Sequence, residues 1–190
     1  MDTMIHHSGG LMYRRIHIMG ASGAGTTTLG KALAARLPHV HLDSDDYFWE
    51  QKYTKQSVVA ERLNKLQADM AQNEPWILSG AVCGWGDSLR DTFDLVVFLW
   101  IPEQVRLERL RAREYERYGD EGLPGGDKYK DVQEFMAWAA LYDTAGPEVR
   151  SRTLHEEWMA GLSGDLLRLE GDLTVEERVE AVLQNLSRSS

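Results

Sequence analysis

One cysteine in 190 residues, Cys83, leaves no intrachain disulfide to hold the fold, so packing must do so. No apolar run reaches the roughly 20 residues that a membrane span needs, and no signal-type segment is present; the expected location is the cytoplasm, with no membrane partner. Basic charge is also in deficit. Against 30 Asp and Glu stand 21 Lys and Arg, a net charge of -9. That balance argues against broad, nonspecific binding of DNA or RNA, so any anion must be held by local basic groups. No repeat or low-complexity segment is found. With 43% hydrophobic residues the chain can bury one good core, whereas two full domains would be cramped. Residues 1–12 are expected to form a disordered leader, and 13–190 a single domain that is monomeric or a homodimer.

What is present begins with Gly20-Ala21-Ser22-Gly23-Ala24-Gly25-Thr26-Thr27-Thr28. This is a phosphate-binding loop that lacks its lysine: Thr26 takes the lysine position, and Thr27 the hydroxyl position that serves magnesium. The surroundings suit the motif. Residues 14–19 read as a short strand with Ile16 and Ile18 on one face, and Leu29, Ala32, Leu33, Ala35 and Leu37 recur at helical spacing until Pro38. Glycines at 20, 23 and 25 let backbone N–H groups turn inward around phosphate oxygens at a helix N-terminus. The plainer alternative is a glycine-rich strand-to-helix turn that binds nothing.

Further strands are expected at 39–42, 76–79, 95–101 and 166–169, and helices at 58–72, 102–118, 132–142, 149–160 and 175–186, the last capped by Thr174. Alternation of this kind implies an α/β sandwich around a five-stranded parallel sheet, with ligands beyond the strands' carboxyl ends. At the end of the second strand stand Asp43, Ser44, Asp45 and Asp46. Asp43 is the candidate for the metal side and Asp45 for orienting or deprotonating an acceptor; turn capping is the ordinary explanation. Beyond the third strand, Gly80, Gly84 and Gly86 fall within seven residues, and Trp85 either stacks on a flat acceptor or folds back onto the core. Asp87 reads as a cap on the short segment after it.

Arg106, Arg109, Arg113 and Arg117 fall within an arc of roughly 80° on the 102–118 helix. Salt bridges to Glu103, Glu108, Glu114 and Glu116 account for such a face; alternatively its inner end meets phosphates, with Arg150 and Arg152 closing from the other side. The functional reading is preferred for Arg113, Arg150 and Arg152, the salt-bridge reading for Arg106 and Arg117. His39 and His41 alternate on a strand but lack a third metal ligand, and His17 and His155 read as structural.

Taken together, the loop, Leu42-Asp43-Ser44-Asp45, Trp76-Ile77-Leu78-Ser79-Gly80, the 94–102 strand and Glu108 to Arg113 resemble the adenylate kinase-like branch of small phosphate-loop kinases, which includes nucleoside monophosphate, shikimate and gluconate kinases. The resemblance covers about 14–186. It implies strand order 2-3-1-4-5, an acceptor-binding region at 58–72, a helical lid at about 119–152, Arg109 packed on adenine, Arg113 on phosphates, and an adenine-side loop at Gly171-Asp172. Asp43-Ser44-Asp45 is similar to the Asp-Ser-Asp of shikimate kinases, where the first carboxylate serves the metal and the second the acceptor. The lysine-less loop resembles that of bacterial phosphoribulokinases. One departure is that no arginine follows Gly80, which argues against AMP as acceptor.

The expected function is therefore magnesium-dependent transfer of phosphate from ATP to a small-molecule acceptor, possible acceptors including nucleotides and nucleosides. In this reading Gly20, Ser22, Gly23, Ala24, Gly25, Thr26, Thr27, Thr28 and Arg109 bind nucleotide, Thr27 and Asp43 serve the metal, and Asp45, Gly80 and Trp85 meet the acceptor. Arg113, Arg150 and Arg152 close over the transferring group. The alternative is a nucleotide-binding regulatory module or a slow NTPase without an acceptor.

Overall fold

Sequence alternation sets the two faces of the sheet. In the computed structural model, which describes residues 13–51 and 55–188, five strands lie parallel. They are β1 (Arg15–Gly20), β2 (Val40–Asp43), β3 (Trp76–Ser79), β4 (Leu95–Trp100) and β5 (Asp165–Glu170), in spatial order β2-β3-β1-β4-β5. This is the 2-3-1-4-5 order implied by the resemblance. Side chains of one parity, Ile16, Ile18, Ile77, Leu95, Val97 and Leu99, enter a cluster with Leu29, Leu33, Val179 and Val182. Those of the other parity, Met19, Trp76, Leu78, Val96 and Phe98, pack with Leu66, Met70, Phe93, Trp158 and Met159. Because β1 and β4 are central and covered on both faces, nearly every residue in them is buried, which explains the uninterrupted apolarity of β4.

The helices are α1 (Thr26–Ala34), α2 (Asp45–Phe48), α3 (Val59–Gln72), α4 (Glu103–Tyr118), α5 (Tyr129–Ala140), α6 (Arg152–Met159) and α7 (Val175–Arg188). Thr174 caps α7 in a reciprocal box: its Oγ1 accepts from the Glu177 N–H at 3.2 Å, and the Glu177 carboxylate accepts from the Thr174 N–H at 2.7 Å. Helix α6 starts later than the expected residue 149 because Ser151 is extended and its Oγ accepts from the Leu154 N–H at 3.0 Å. α5 runs three residues earlier than expected at its start and ends at Ala140, where the chain tightens into a 3₁₀ turn at Leu141–Asp143. Periodicity did not reveal the four-residue α2, the small antiparallel ribbon of Trp49–Gln51 with Lys55–Gln56, or the 3₁₀ segment Asp87–Thr92. The expected leader at 1–12 lies outside the described residues.

Asp94 fastens the two central strands at their amino ends. It accepts from the backbone N–H groups of Arg14 and Arg15, each at 2.9 Å, and pairs with the Arg15 guanidinium at 2.6 Å. Burial alone would raise its pKa, but these donors hold it below the ordinary carboxylate range. Asp94→Ala should therefore destabilise the fold by about 1–3 kcal/mol near neutral pH, read from urea unfolding. The sign comes from the depressed value: the stabilisation is complete above about pH 4 and is lost as the pH falls through the folded pKa. Wild type and variant should converge in strong acid; a gap that widens there would contradict this role for Asp94.

The buried histidines are structural, as expected for His17 and His155. His17 stacks on Phe93 and bonds the Leu78 carbonyl at 3.0 Å, and burial pushes it down to about 4. His155 meets the Tyr142 hydroxyl at 2.8 Å and is pushed down to about 3, again by burial.

Candidate functional site

β1 ends at Gly20 and the chain wraps through the glycine loop into α1. Gly25, the residue before α1, has φ +89°, a conformation that a side chain would strain. No side chain caps the helix and its first turn has no acidic residue, so its leading N–H groups are left to an incoming acceptor.

Beside this loop, the carboxyl ends of β2 and β3 are tied together. The Ser44 N–H donates to the Ser79 carbonyl at 2.8 Å, and His41 Nε2 meets Ser79 Oγ at 2.8 Å. At Gly80 (φ +100°) a Cβ would overlap Ser44 Oγ, so the close approach of the two strand ends requires glycine there. The result brings Asp43 to the loop: Thr27 Oγ1 donates to Asp43 Oδ2 at 2.7 Å, while Asp43 Oδ1 accepts from the Asp45 N–H at 3.1 Å. Asp45 opens α2 and is exposed.

A cleft of about 800 Å³, within the usual size of small-ligand sites, runs from the loop to these carboxylates. Gly20, Ser22, Gly23, Gly25, Thr26, Thr27 and Thr28 line it, as do Asp43, Asp45, Gly80, Arg109, Arg113 and Arg150. Ala24 is buried behind the loop. Although the chain is acidic, the cleft also draws in Lys31, Arg117 and Arg178. None of these three was anticipated there.

The arginine stripe on α4 divides. Arg106 is fully buried, bonding Asp143 at 3.1 Å and the Ala139 carbonyl at 3.3 Å, so it ties α4 to the end of α5. Arg109 pairs with Asp172 at 2.6 Å on the side of the Gly171 loop. Arg113 and Arg117 share the buried Glu114, each at 3.1 Å. Arg150 lies 5.6 Å from the Trp138 ring; burial lowers its pKa, opposed first by the charge of Asp45.

Two expected site residues lie elsewhere. Arg152 is 5.2 Å from the Trp100 ring, with Nε 3.7 Å from Glu156, and does not line the cleft. As the first residue of α6, it is carried away from Arg150 by the extended Ser151. Trp85 donates from Nε1 to the Ala81 carbonyl at 3.1 Å and packs against the core beneath β3, also outside the cleft. Asp87 bonds the Gly84 N–H at 2.8 Å and Trp158 Nε1 at 3.0 Å, so it braces its loop against α6.

His39 turns to the Tyr13 carbonyl and His41 to Ser79, so the two do not converge. Among the described residues no three His, Cys, Asp or Glu side chains are grouped to hold a metal. The donor set at Thr27 and Asp43 suits another arrangement. A hard cation that takes most of its ligands from phosphates and water needs one hydroxyl oxygen and a nearby carboxylate, which are the groups found here.

The family of AAA domains designated AAA_18 matches residues 16–134, from the first strand through the loop and into α5. The chain belongs to this family. A relative in Bacillus subtilis (strain 168), the uncharacterized protein YqaC, is 60% identical over 176 residues, covering 93% of this chain and 99% of its own. Among solved structures, shikimate kinase from Acinetobacter baumannii in complex with shikimate is 17% identical, with TM-score 0.56 over 95% of this chain and 96% of that one. Shikimate kinase from Bacteroides thetaiotaomicron is 23% identical, with TM-score 0.56 over 92% and 98%. A gluconokinase from Sinorhizobium meliloti 1021 is 18% identical, with TM-score 0.52 over 94% of each chain. At such identities the likeness is one of fold, and it extends across the AAA domain's loop and sheet to α7. No helix among the described residues is long and apolar enough to cross a membrane.

Proposed function

We propose that the chain is a cytoplasmic, magnesium-dependent phosphotransferase that moves the terminal phosphate of ATP to a small-molecule acceptor. One observation carries the reading: a single cleft joins the phosphate loop to Asp45 through the Thr27–Asp43–Asp45 chain of hydrogen bonds. Nucleotide binding alone requires the loop but has no need of a second carboxylate beside Asp43. The loop N–H groups receive the phosphates, with Arg109 and Asp172 at the adenine side. Thr27 and Asp43 hold the metal, which when bound offsets charge on the phosphate oxygens. Asp45 orients the acceptor hydroxyl beside Gly80 and takes its proton, while Arg113 and Arg150 steady the transferring group. Residues 119–152 form the lid, whose closure excludes water. The fold shared with shikimate kinase and gluconokinase supports a hydroxylated acceptor of similar size.

The test is transfer of labelled terminal phosphate from ATP, with and without magnesium, across a panel of hydroxylated small acids, sugars, nucleosides and nucleotides. Magnesium-dependent labelling of one acceptor class is expected. Hydrolysis independent of every acceptor would make the chain an NTPase, and ATP binding without turnover would make it a regulatory module.

A further inference from the structure

The final helix carries a charge inside its apolar stripe. Val175, Val179 and Val182 follow helical spacing, and the last two are in the core; Arg178 stands on the same side and is 3% exposed. Its Nη1 donates to the carbonyl of Ala24, within the phosphate loop, at 2.9 Å. Nε and Nη2 are buried and make no hydrogen bond among the described residues. The guanidinium borders the cleft where Gly25 and Thr26 line it, and a Cβ at Gly25 would lie 3.4 Å from Nη1.

The other arginines of the cleft have carboxylates beside them: Arg113 and Arg117 share Glu114, Arg109 holds Asp172, and Arg150 faces Asp45. Arg178 forms no ion pair among the described residues. Asp172 favours its charge, but that carboxylate is already taken by Arg109, whose own charge opposes Arg178. Lys31, exposed one turn into α1, sits on the His41 side. An arginine stays protonated at any working pH. A buried cation with most of its donors unmet is costly, and the cost is relieved when an anion arrives. Phosphate oxygens fit the planar fork of a guanidinium.

We infer that Arg178 supplies to the nucleotide's phosphate chain, from the last helix, the positive charge that Thr26 cannot supply from the loop. The inference rests on the nucleotide reading of the cleft. Its bond to Ala24 then has a second use, since it sets the loop backbone and the guanidinium in fixed register.

The test is isothermal titration of the full chain with ATP and with adenosine, both with magnesium. Arg178→Met should weaken ATP binding about 10- to 100-fold and leave adenosine binding unchanged. Without nucleotide the variant loses a buried unpaired charge and also its bond to Ala24, two opposed effects on stability, so its melting curve serves to show that it is folded. Adding Thr26→Lys to Arg178→Met should restore most of the lost ATP affinity, a rescue that a purely structural role would not show. Arg178→Lys, which keeps a point charge but not the fork, should fall between wild type and the methionine variant. The inference is overturned if Arg178→Met binds ATP like wild type, loses ATP and adenosine equally, or is not rescued by lysine at 26, or if Arg178→Lys binds as weakly as Arg178→Met. Those results leave the nucleotide reading intact where wild type binds ATP; wild-type protein that binds no ATP would overturn both.

Discussion

Asp45→Asn is expected to reduce phosphoryl transfer by about 10²- to 10⁴-fold while ATP affinity stays within about twofold of wild type. Asparagine preserves size and can still orient a hydroxyl, but it carries no charge and cannot take a proton. The position of Asp45 makes the separation feasible. It heads α2 on the cleft, its backbone N–H is held by Asp43, and asparagine keeps that N–H and the shape of the side chain while removing the charge that Arg150 faces. Single-turnover rates and ATP titrations on the same preparation decide the matter. Equal losses in both would move Asp45 from acceptor chemistry to nucleotide binding or folding; unchanged turnover would remove it from the reaction.

The fold was legible because its central strands announce themselves. Leu95 to Leu99 is apolar on both parities, and only a strand covered on both faces buries such a run. The phosphate loop was legible for a related reason: its glycines stand between a strand and an amphipathic helix, as the turn geometry requires. Short elements escaped. α2 is four residues long and the ribbon of Trp49–Gln51 with Lys55–Gln56 pairs few residues, so neither spans enough positions for a period to emerge.

The site was harder to read because charge on a helix face does not say what it faces. On one stripe of α4, Arg106 proved to be a buried strut to Asp143, while Arg117 makes the salt bridge expected of it, to Glu114, and also borders the cleft. Arg150 and Arg152 are two residues apart, yet one lines the cleft and the other lies against Trp100 and Glu156, because Ser151 between them caps a helix. Trp85 offered a flat surface for an acceptor, but its indole N–H needed a partner and found the Ala81 carbonyl. Arg178 did leave a signal in the sequence. A charged residue within the Val175, Val179, Val182 stripe conflicts with burial of that face, and such conflicts mark sites.

Thr27→Val is expected to raise the magnesium concentration needed for half-maximal transfer about 10- to 100-fold and to lower kcat/KM for ATP by about 10²- to 10³-fold. Valine matches threonine in shape, so α1 and the loop glycines need not move, and the change isolates one oxygen. That oxygen donates its proton to Asp43 at 2.7 Å, which turns its lone pairs toward the cleft. With valine in place, Asp43 loses a donor and keeps only the Asp45 N–H among the bonds described for it, so the order of the β2 end should loosen as well. Asp43→Asn separates the two effects. It keeps one acceptor oxygen for the Asp45 N–H and turns its amide NH2 to Thr27 Oγ1, which can accept in place of donating, but it loses the negative charge, so it should reproduce the magnesium defect with a smaller loss of kcat/KM at saturating magnesium. A Thr27→Val protein with unaltered magnesium dependence would remove this hydroxyl from the metal site and leave the Thr27–Asp43 bond as a clamp between α1 and β2.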